Sequence, residues 1–336
     1  MTDLSTEAKS GPFTRTPFKF TGDGSEYFKI WIVNVLLTAV TLGIYSAWAT
    51  VRNNRYMHSN LYLEDNNFRY LAEPIAILKG RIIAVVALIV YAIFAAISPS
   101  LAGLFILILF ALMPYFFNQS FAFKMRMTSY KNIQFRFNGT YGGAAMILFV
   151  WPMLGMLTFG ILMPKALQKS NEYIVNNSSY GNTKFKFSAT YGDYGKIFLI
   201  LLAGVFAFGA ILALIGAVVP QLAVIFPLLV PIFYLTVIGF LYTSTTNLFY
   251  QRLSLAEHEF DCNLSIPSFI KVILINVFLI MITLGLYAPA AQIRMAKYLS
   301  ENIVMKVNGD LNDFTAAEKV EVGALGEEMG QAFDFA

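Results

Sequence analysis

The side chains that most often carry chemistry are few and scattered in this chain. His58 and His258 are its two histidines and Cys262 its one cysteine. No Cys-x-x-Cys, HExxH or carboxylate cluster supplies metal ligands at a usual spacing. No phosphate-binding loop, dinucleotide fingerprint or G-x-S-x-G turn is present. The expectation is therefore no catalytic residue, no metal ligand, no cofactor and no enzyme. What recurs instead is a basic and aromatic cluster: Trp48, Arg52, Arg55 and Tyr56, then Lys169 and Tyr173, then Arg294, Lys297 and Tyr298. Such a cluster suits an anionic ligand, above all a phospholipid headgroup. It also suits an ordinary interfacial anchor of aromatic rings and snorkelling bases, which is the commoner role for any single residue.

The clusters are spaced by an internal repeat. FKFTG begins at Phe18, FRFNG at Phe135 and the more divergent FDCNL at Phe260. Gly43, Gly160 and Gly285 each follow 25 residues later, in TLGIY, TFGIL and TLGLY. Arg52, Lys169 and Arg294 stand nine residues beyond, and the three tyrosines four beyond those. A glycine relieves backbone strain where a helix breaks, so these three read as bends in preference to mere close-packing positions. Asn34 and Asn276 share one register inside apolar runs. A polar amide there needs a partner, and helix-to-helix bonding is a more frequent role than solute coordination. A smaller echo, FRYLAEPIAILK at Phe68 and FKFSATYGDYGK at Phe185, places Lys eleven residues after the first Phe, as FKFTGDGSEYFK does at Phe18.

Of all residues, 57% are apolar and 13% charged, the latter well below the roughly one-quarter charged of soluble domains. Charge is missing between Arg81 and Lys124 and between Lys196 and Arg252, each long enough for two membrane-crossing helices with turns near Ser98-Pro99-Ser100 and Pro220-Gln221. Three shorter runs, 30–51, 144–163 and 272–291, contain the glycines. The fold expected is an all-α polytopic membrane protein: seven embedded apolar segments in 2.5 repeats, four of them spanning helices in two pairs. The remaining three are Gly-broken and either span or re-enter. Short cytoplasmic β-hairpins are expected at Leu61–Leu63 with Phe68–Tyr70, and at Ile303–Val307 before Asn308-Gly309. In the third repeat Cys262 and Leu264 replace Phe20 and Gly22, which weakens the case for a strand there. The organisation expected is a polar arm 1–17, repeat units 18–134 and 135–259, a half repeat 260–309 and a flexible acidic tail 310–336.

Charge bears on topology. If all seven segments cross, the 24 basic residues divide 13 to 11, with none of the cytoplasmic excess membrane proteins show. If the three Gly-broken segments re-enter, every base and the C-terminus face the cytoplasm. Re-entry requires protein or a wet cavity around the broken backbone. The polar start, with its first apolar run at Ile30, does not match a cleaved signal peptide. The first 300 residues carry 22 bases against 12 acids, a balance suited to anionic lipid and without the basic domain nucleic acid needs.

FxFxGxxxEYF at Phe18, TLGIYxxW at Thr41–Trp48, RNNRY at Arg52–Tyr56, ILKGR at Ile77–Arg81 and GEEMGQAFDF at Gly326–Phe335 together resemble the YjgN family, also called DUF898. The resemblance runs over nearly the whole chain. It implies a multi-pass protein of the bacterial inner membrane and brings no activity, substrate or cofactor. Three function classes follow. The first is small-solute transport or lipid handling at the interface of the repeats. The second is a non-catalytic envelope scaffold or regulator whose acidic tail binds a protein partner. An enzyme acting on lipid ranks last.

Overall fold

A computed structural model describes residues 13–309 together with Leu311 and Phe314. It overturns the all-α expectation. Ten strands close into one antiparallel barrel in the order β1-β10-β9-β8-β7-β6-β5-β4-β3-β2. The chain builds it from five units, each a strand, a pair of antiparallel helices and a returning strand. The first is β1 (Thr14–Phe20), α1 (Gly24–Val40), α2 (Ser46–Ser59) and β2 (Leu61–Leu63). The second is β3 (Asn66–Tyr70), α3 (Pro74–Ile97), α4 (Pro99–Arg126) and β4 (Thr128–Tyr130). The third holds β5 (Ile133–Phe137), α5 (Tyr141–Ala145), a π-helical turn Met146–Val150, α6 (Trp151–Leu157), α7 (Met163–Asn176) and β6 (Ser178–Tyr180). The fourth is β7 (Thr183–Phe187), α8 (Tyr191–Val218), a 3₁₀ turn Pro220–Ile225, α9 (Phe226–Gln251) and β8 (Leu253–Leu255). The fifth is β9 (His258–Cys262), α10 (Ile266–Ile282), α11 (Ala288–Asn302) and β10 (Ile303–Val307).

The smaller echo is thus the true period. Phe18, Phe68, Phe135, Phe185 and Phe260 occupy one register, and five residues after each comes a helix N-cap: Asp23, Glu73, Thr140, Thr190 and Ser265. Four residues further Tyr27, Ile77, Ala144, Tyr194 and Phe269 are all buried. The fifth unit has its leading strand after all, because Cys262 and Leu264 are buried as well as their counterparts are. Residues 14–17 of the polar arm belong to β1, which pairs with β10 and so closes the barrel across the two ends of the chain. Most of the acidic tail lies outside the described residues. Leu311 and Phe314 do not, and they pack against the barrel interior.

Alternation along the strands puts the Phe register inside. It sends Lys19, Arg69, Arg136, Lys184, Lys186 and Lys306 to the outer wall, as a period of two requires. Across the closing seam Asp261 receives Arg15 at 3.2 Å and Lys306 at 3.4 Å. All four hairpin turns lie at one end of the barrel, and all five helix pairs leave from and return to the other.

The helix pairs come in two lengths. Four helical stretches, Pro74–Ile97, Pro99–Arg126, Tyr191–Val218 and Pro220–Gln251, are long and apolar enough to cross a membrane. At 1.5 Å per residue α3 reaches about 36 Å and α8 about 42 Å. Helices α1 and α10, with 17 residues each, reach only about 26 Å.

Candidate functional site

The three glycines sit at the tips of the short helix pairs, and Thr-x-Gly is a compact turn program. Helix α1 ends in a Schellman motif: the Gly43 N–H donates to the Thr38 carbonyl at 2.8 Å and the Leu42 N–H to Ala39 at 3.2 Å. The same bonds link Gly160 to Gly155 and Gly285 to Ile280, each at 2.8 Å. The Thr41 hydroxyl donates back to Leu37 at 2.8 Å and accepts the Tyr45 N–H at 2.9 Å, tying both legs together. Thr158 and Thr283 repeat this. At φ near +90° only glycine is at ease. The residue before each is left-handed too, and it is large: Leu42, Phe159 and Leu284, with φ of 50–51°. They are 94%, 98% and 93% exposed. A left-handed non-glycine costs roughly 1–2 kcal/mol, and here it aims a bulky apolar side chain outward from each tip.

The predicted basic and aromatic residues divide into two roles. Arg52 donates to Asn34 Oδ1 at 3.4 Å and to the Tyr45 hydroxyl at 3.3 Å. Arg294 meets Asn276 Oδ1 at 3.2 Å and Tyr287 in the same way, with its guanidinium also over the Tyr287 ring. Both asparagines are buried and also bind the facing helix, Asn34 through Asn53 at 2.8 Å and Asn276 through the Ala291 carbonyl at 3.4 Å. These polar trios join the two legs of units one and five. Unit three has Trp151 in the Asn register, and its Lys169 pairs with Glu172 at 2.8 Å. The tyrosines pin the strand-to-helix links. The Tyr56 hydroxyl has Glu26 Oε2 at 2.9 Å and the Asp23 carbonyl at 3.1 Å as its acceptors, Tyr173 has Asn118 Oδ1 of α4 at 2.7 Å and the Thr140 carbonyl at 2.9 Å, and Tyr298 donates to the Ser265 carbonyl at 3.3 Å. Arg55 crosses to the Ala72 carbonyl of unit two at 3.0 Å, and Trp48 stacks on Tyr45. Lys297 lies near enough to Asp23 to help hold that carboxylate below its usual range, behind the larger effect of the Ser25 hydroxyl.

Sequence reasoning missed the concave sites. Within the barrel, Phe18, Phe68, Phe135 and Phe185 stack in succession at 6.3, 6.4 and 6.3 Å. Leu63, Tyr130, Tyr180, Leu255 and Met305 fill the gaps. Tyr180 donates to the Tyr130 carbonyl and Tyr130 to that of Leu63, each at 2.8 Å, and burial pushes the Tyr180 phenol up to about 12. A cavity of about 260 Å³ remains, lined only by apolar and aromatic side chains.

The second cavity is a groove of about 680 Å³ between the third unit's turn and α8, lined by Phe159, Gly160, Ile161, Met163, Tyr191, Lys196, Leu199 and Leu202 among others. Lys165 lies over the Tyr191 ring at 5.7 Å. The groove therefore has bases at one end and an apolar floor. On the other side of unit three, the π-helical turn helps line a pocket of about 370 Å³ against α4. Single-turn π segments often mark functional places. Lys29, Lys79, Lys196 and Lys271 recur eleven residues after the unit's Phe, forming a belt one to two turns below the helix caps; unit three has Met146 instead. Among the described residues no group of three or more His, Cys, Asp or Glu could hold a metal ion.

A family described as bacterial protein of unknown function, DUF898, matches residues 15–332. The inner membrane protein YjgN of Salmonella typhimurium is 31% identical over 144 residues, 43% of this chain and 36% of that protein. YjgN of Escherichia coli O157:H7 is 30% identical over 149 residues, with the same coverage. The matched part thus spans little more than a third of these relatives' length. No solved structure matches.

Proposed function

This chain belongs to the DUF898 family of bacterial proteins, and from that premise we propose that it is an inner-membrane protein that handles phospholipid at the interface of its units. The observation that carries this reading is the groove beside α8, whose Lys165 and Lys196 end suits a phosphate headgroup and whose Leu199, Leu202 and Phe159 floor suits acyl chains. The two helix lengths support it. Measured from the lysine belt, α1 and α10 descend eleven residues, at most about 17 Å, while α3 descends 18 and α8 22, about 27 and 33 Å. A hydrocarbon core is about 30 Å thick. The short pairs therefore end within the membrane and wedge Leu42, Phe159 and Leu284 among lipid chains, while the long pairs cross. The barrel's basic outer wall fits the cytoplasmic side. The apolar linings favour a lipid over a polar solute.

The test is native mass spectrometry of protein released from nanodiscs of mixed anionic and zwitterionic phospholipid. Lys165→Gln with Lys196→Gln should reduce retained anionic lipid, and Leu202→Trp, which fills the groove, should reduce retention of both classes. Unchanged retention in both variants overturns the reading.

A further inference from the structure

The barrel lumen carries an inference beyond the groove, though it rests on the same lipid-handling reading. We propose that the lumen is a binding site for one acyl chain of a membrane phospholipid, capped at its water-facing mouth by Leu311 and Phe314.

Three observations lead there. The first is the chemistry of the lining. Every side chain facing the 260 Å³ space is apolar or aromatic, and the strand backbones are committed to a closed ladder. The two tyrosine hydroxyls are spent on neighbouring carbonyls. A peptide occupant would bury N–H and C=O groups with no partner, and a headgroup would bury charge; both are costly. A hydrocarbon chain carries neither. The space is also larger than the roughly 150 Å³ apolar cavity known to stay dry and take up benzene.

The second observation is continuity with the bilayer. Phe185 and Leu253 pack against the lumen cluster and equally against Val175, Phe187, Ala189 and Tyr194, which lie among α7, α8 and α9. Leu61 likewise lines the lumen and touches the Phe20, Tyr27 and Tyr56 cluster. Apolar side chains are thus in unbroken contact from Tyr194 on α8 to the Phe ring, with no charged side chain among those named, so a chain that enters from the helix side displaces only apolar groups. The third observation is the cap. Phe314 meets Tyr180 edge-on at 5.2 Å and lies 5.4 Å from His258, at the hairpin-turn end away from the helices. Leu311 is buried beside it. A chain entering from the bilayer is therefore shielded from water at the far mouth.

The experiment reconstitutes the full chain in nanodiscs containing a phospholipid with a diazirine at one chain terminus, followed by illumination and peptide mapping. Adducts are expected on peptides bearing Phe135, Tyr180 and Phe185, as well as on α8 and α9. Leu255→Trp, which fills the lumen, should remove the barrel adducts severalfold and leave those on α8 and α9 unchanged. Phe314→Ala opens the cap and covers the case in which the capped lumen refuses a chain at rest. Barrel peptides that stay unlabelled in both wild type and Phe314→Ala overturn the proposal. Barrel adducts equal in wild type and Leu255→Trp overturn it too, since they then arise outside the lumen. The lysine variants of the groove, read by retained headgroup class, report separately on the reading beneath.

Discussion

A probe at the tip of a short helix pair should be out of reach from both sides of the membrane. Leu42→Cys and Leu284→Cys place a thiol at positions 94% and 93% exposed on the protein surface, so protein packing does not hide them; only lipid can. The lysine belt fixes the scale. Eleven residues separate Lys29 from Val40, at most about 17 Å of helix, and the turn adds a few ångströms more. With a hydrocarbon core of about 30 Å, the thiol stays roughly 10 Å short of the far interface. Ser100→Cys, at the start of α4 after the full length of α3, should reach it. Native Cys262 provides a silent background, since it is buried in the barrel and burial raises its thiol to about 11. The assay is labelling with an impermeant maleimide from either face, combined with quenching of an attached fluorophore by lipids carrying a quencher near the headgroup or near the chain end. Ser100→Cys should label from the face opposite the barrel. Leu42→Cys and Leu284→Cys should label from neither face and be quenched best by the deep quencher. Labelling of Leu42→Cys from the same face as Ser100→Cys would refute the half-depth reading, because α1 would then have to cross.

Other consequences are quickly stated. Phe135→Ala removes a ring stacked between Phe68, Phe185 and Tyr180, and the usual loss for such truncation is about 3–5 kcal/mol; denaturation in detergent should show it, whereas Leu199→Ala on the exposed face of α8 should change little. Cys262, with its thiol near 11, should be about 0.1% thiolate at pH 8 and react with a disulfide reagent only after unfolding; rapid reaction in the folded protein would contradict its burial. Asp23 caps α1 by accepting from Ser25 and Glu26, and these bonds, the Ser25 hydroxyl foremost, lower its pKa below 3.8. Because the folded value is depressed, its contribution is present above the ordinary carboxylate range and lost as pH falls through the depressed value. Asp23→Ala should destabilise the fold at pH 7 through loss of the cap, and the difference from wild type should shrink as pH falls below the ordinary carboxylate range.

How much of this was legible in the sequence depended on the length of each signal. The long pairs could be read because an apolar stretch of over twenty residues has few other uses. The Gly register was visible because three copies of Thr-x-Gly fell 25 residues after a Phe. Leu61–Leu63 was read as a strand through its hairpin with Phe68–Tyr70, but Thr128–Tyr130, Ser178–Tyr180 and Leu253–Leu255, with three residues each, fall below the four or more that alternation needs. Barrel closure was not legible at all, since β1 and β10 pair residues near opposite ends of the chain. The period itself was present as the smaller echo, with Lys eleven residues after Phe, but the Gly-broken halves aligned more conspicuously and drew the reading to 2.5 units. The tyrosines illustrate the opposite limit. Their recurrence suggested ligand contacts, yet Tyr56, Tyr173 and Tyr298 each hold the hydroxyl within reach of their own unit's N-cap carbonyl, with Glu26 and Asn118 as closer partners for the first two.

Closure also explains the charge pattern. A strand can enter the ladder only if its neighbours lie on the same side of the membrane, so each helix pair between two strands must come back to the face it left. That condition fixes parity: every unit crosses an even number of times, whatever its hydropathy. Units two and four have helices long and apolar enough to satisfy it with two full crossings, and on the half-depth reading units one, three and five satisfy it with none, turning at Gly43, Gly160 and Gly285. An odd crossing in any one unit would strand a hairpin on the wrong face and break two ladder seams at once. Among the described residues no Lys or Arg falls in the long turns at 98–100 or 219–226, while the short pairs carry Arg52, Lys165, Lys169 and Arg294 on their returning helices. β-Pairing would by itself impose the charge asymmetry that topology rules read as a signal for orientation, because a closed ladder lets each helix pair cross twice or not at all.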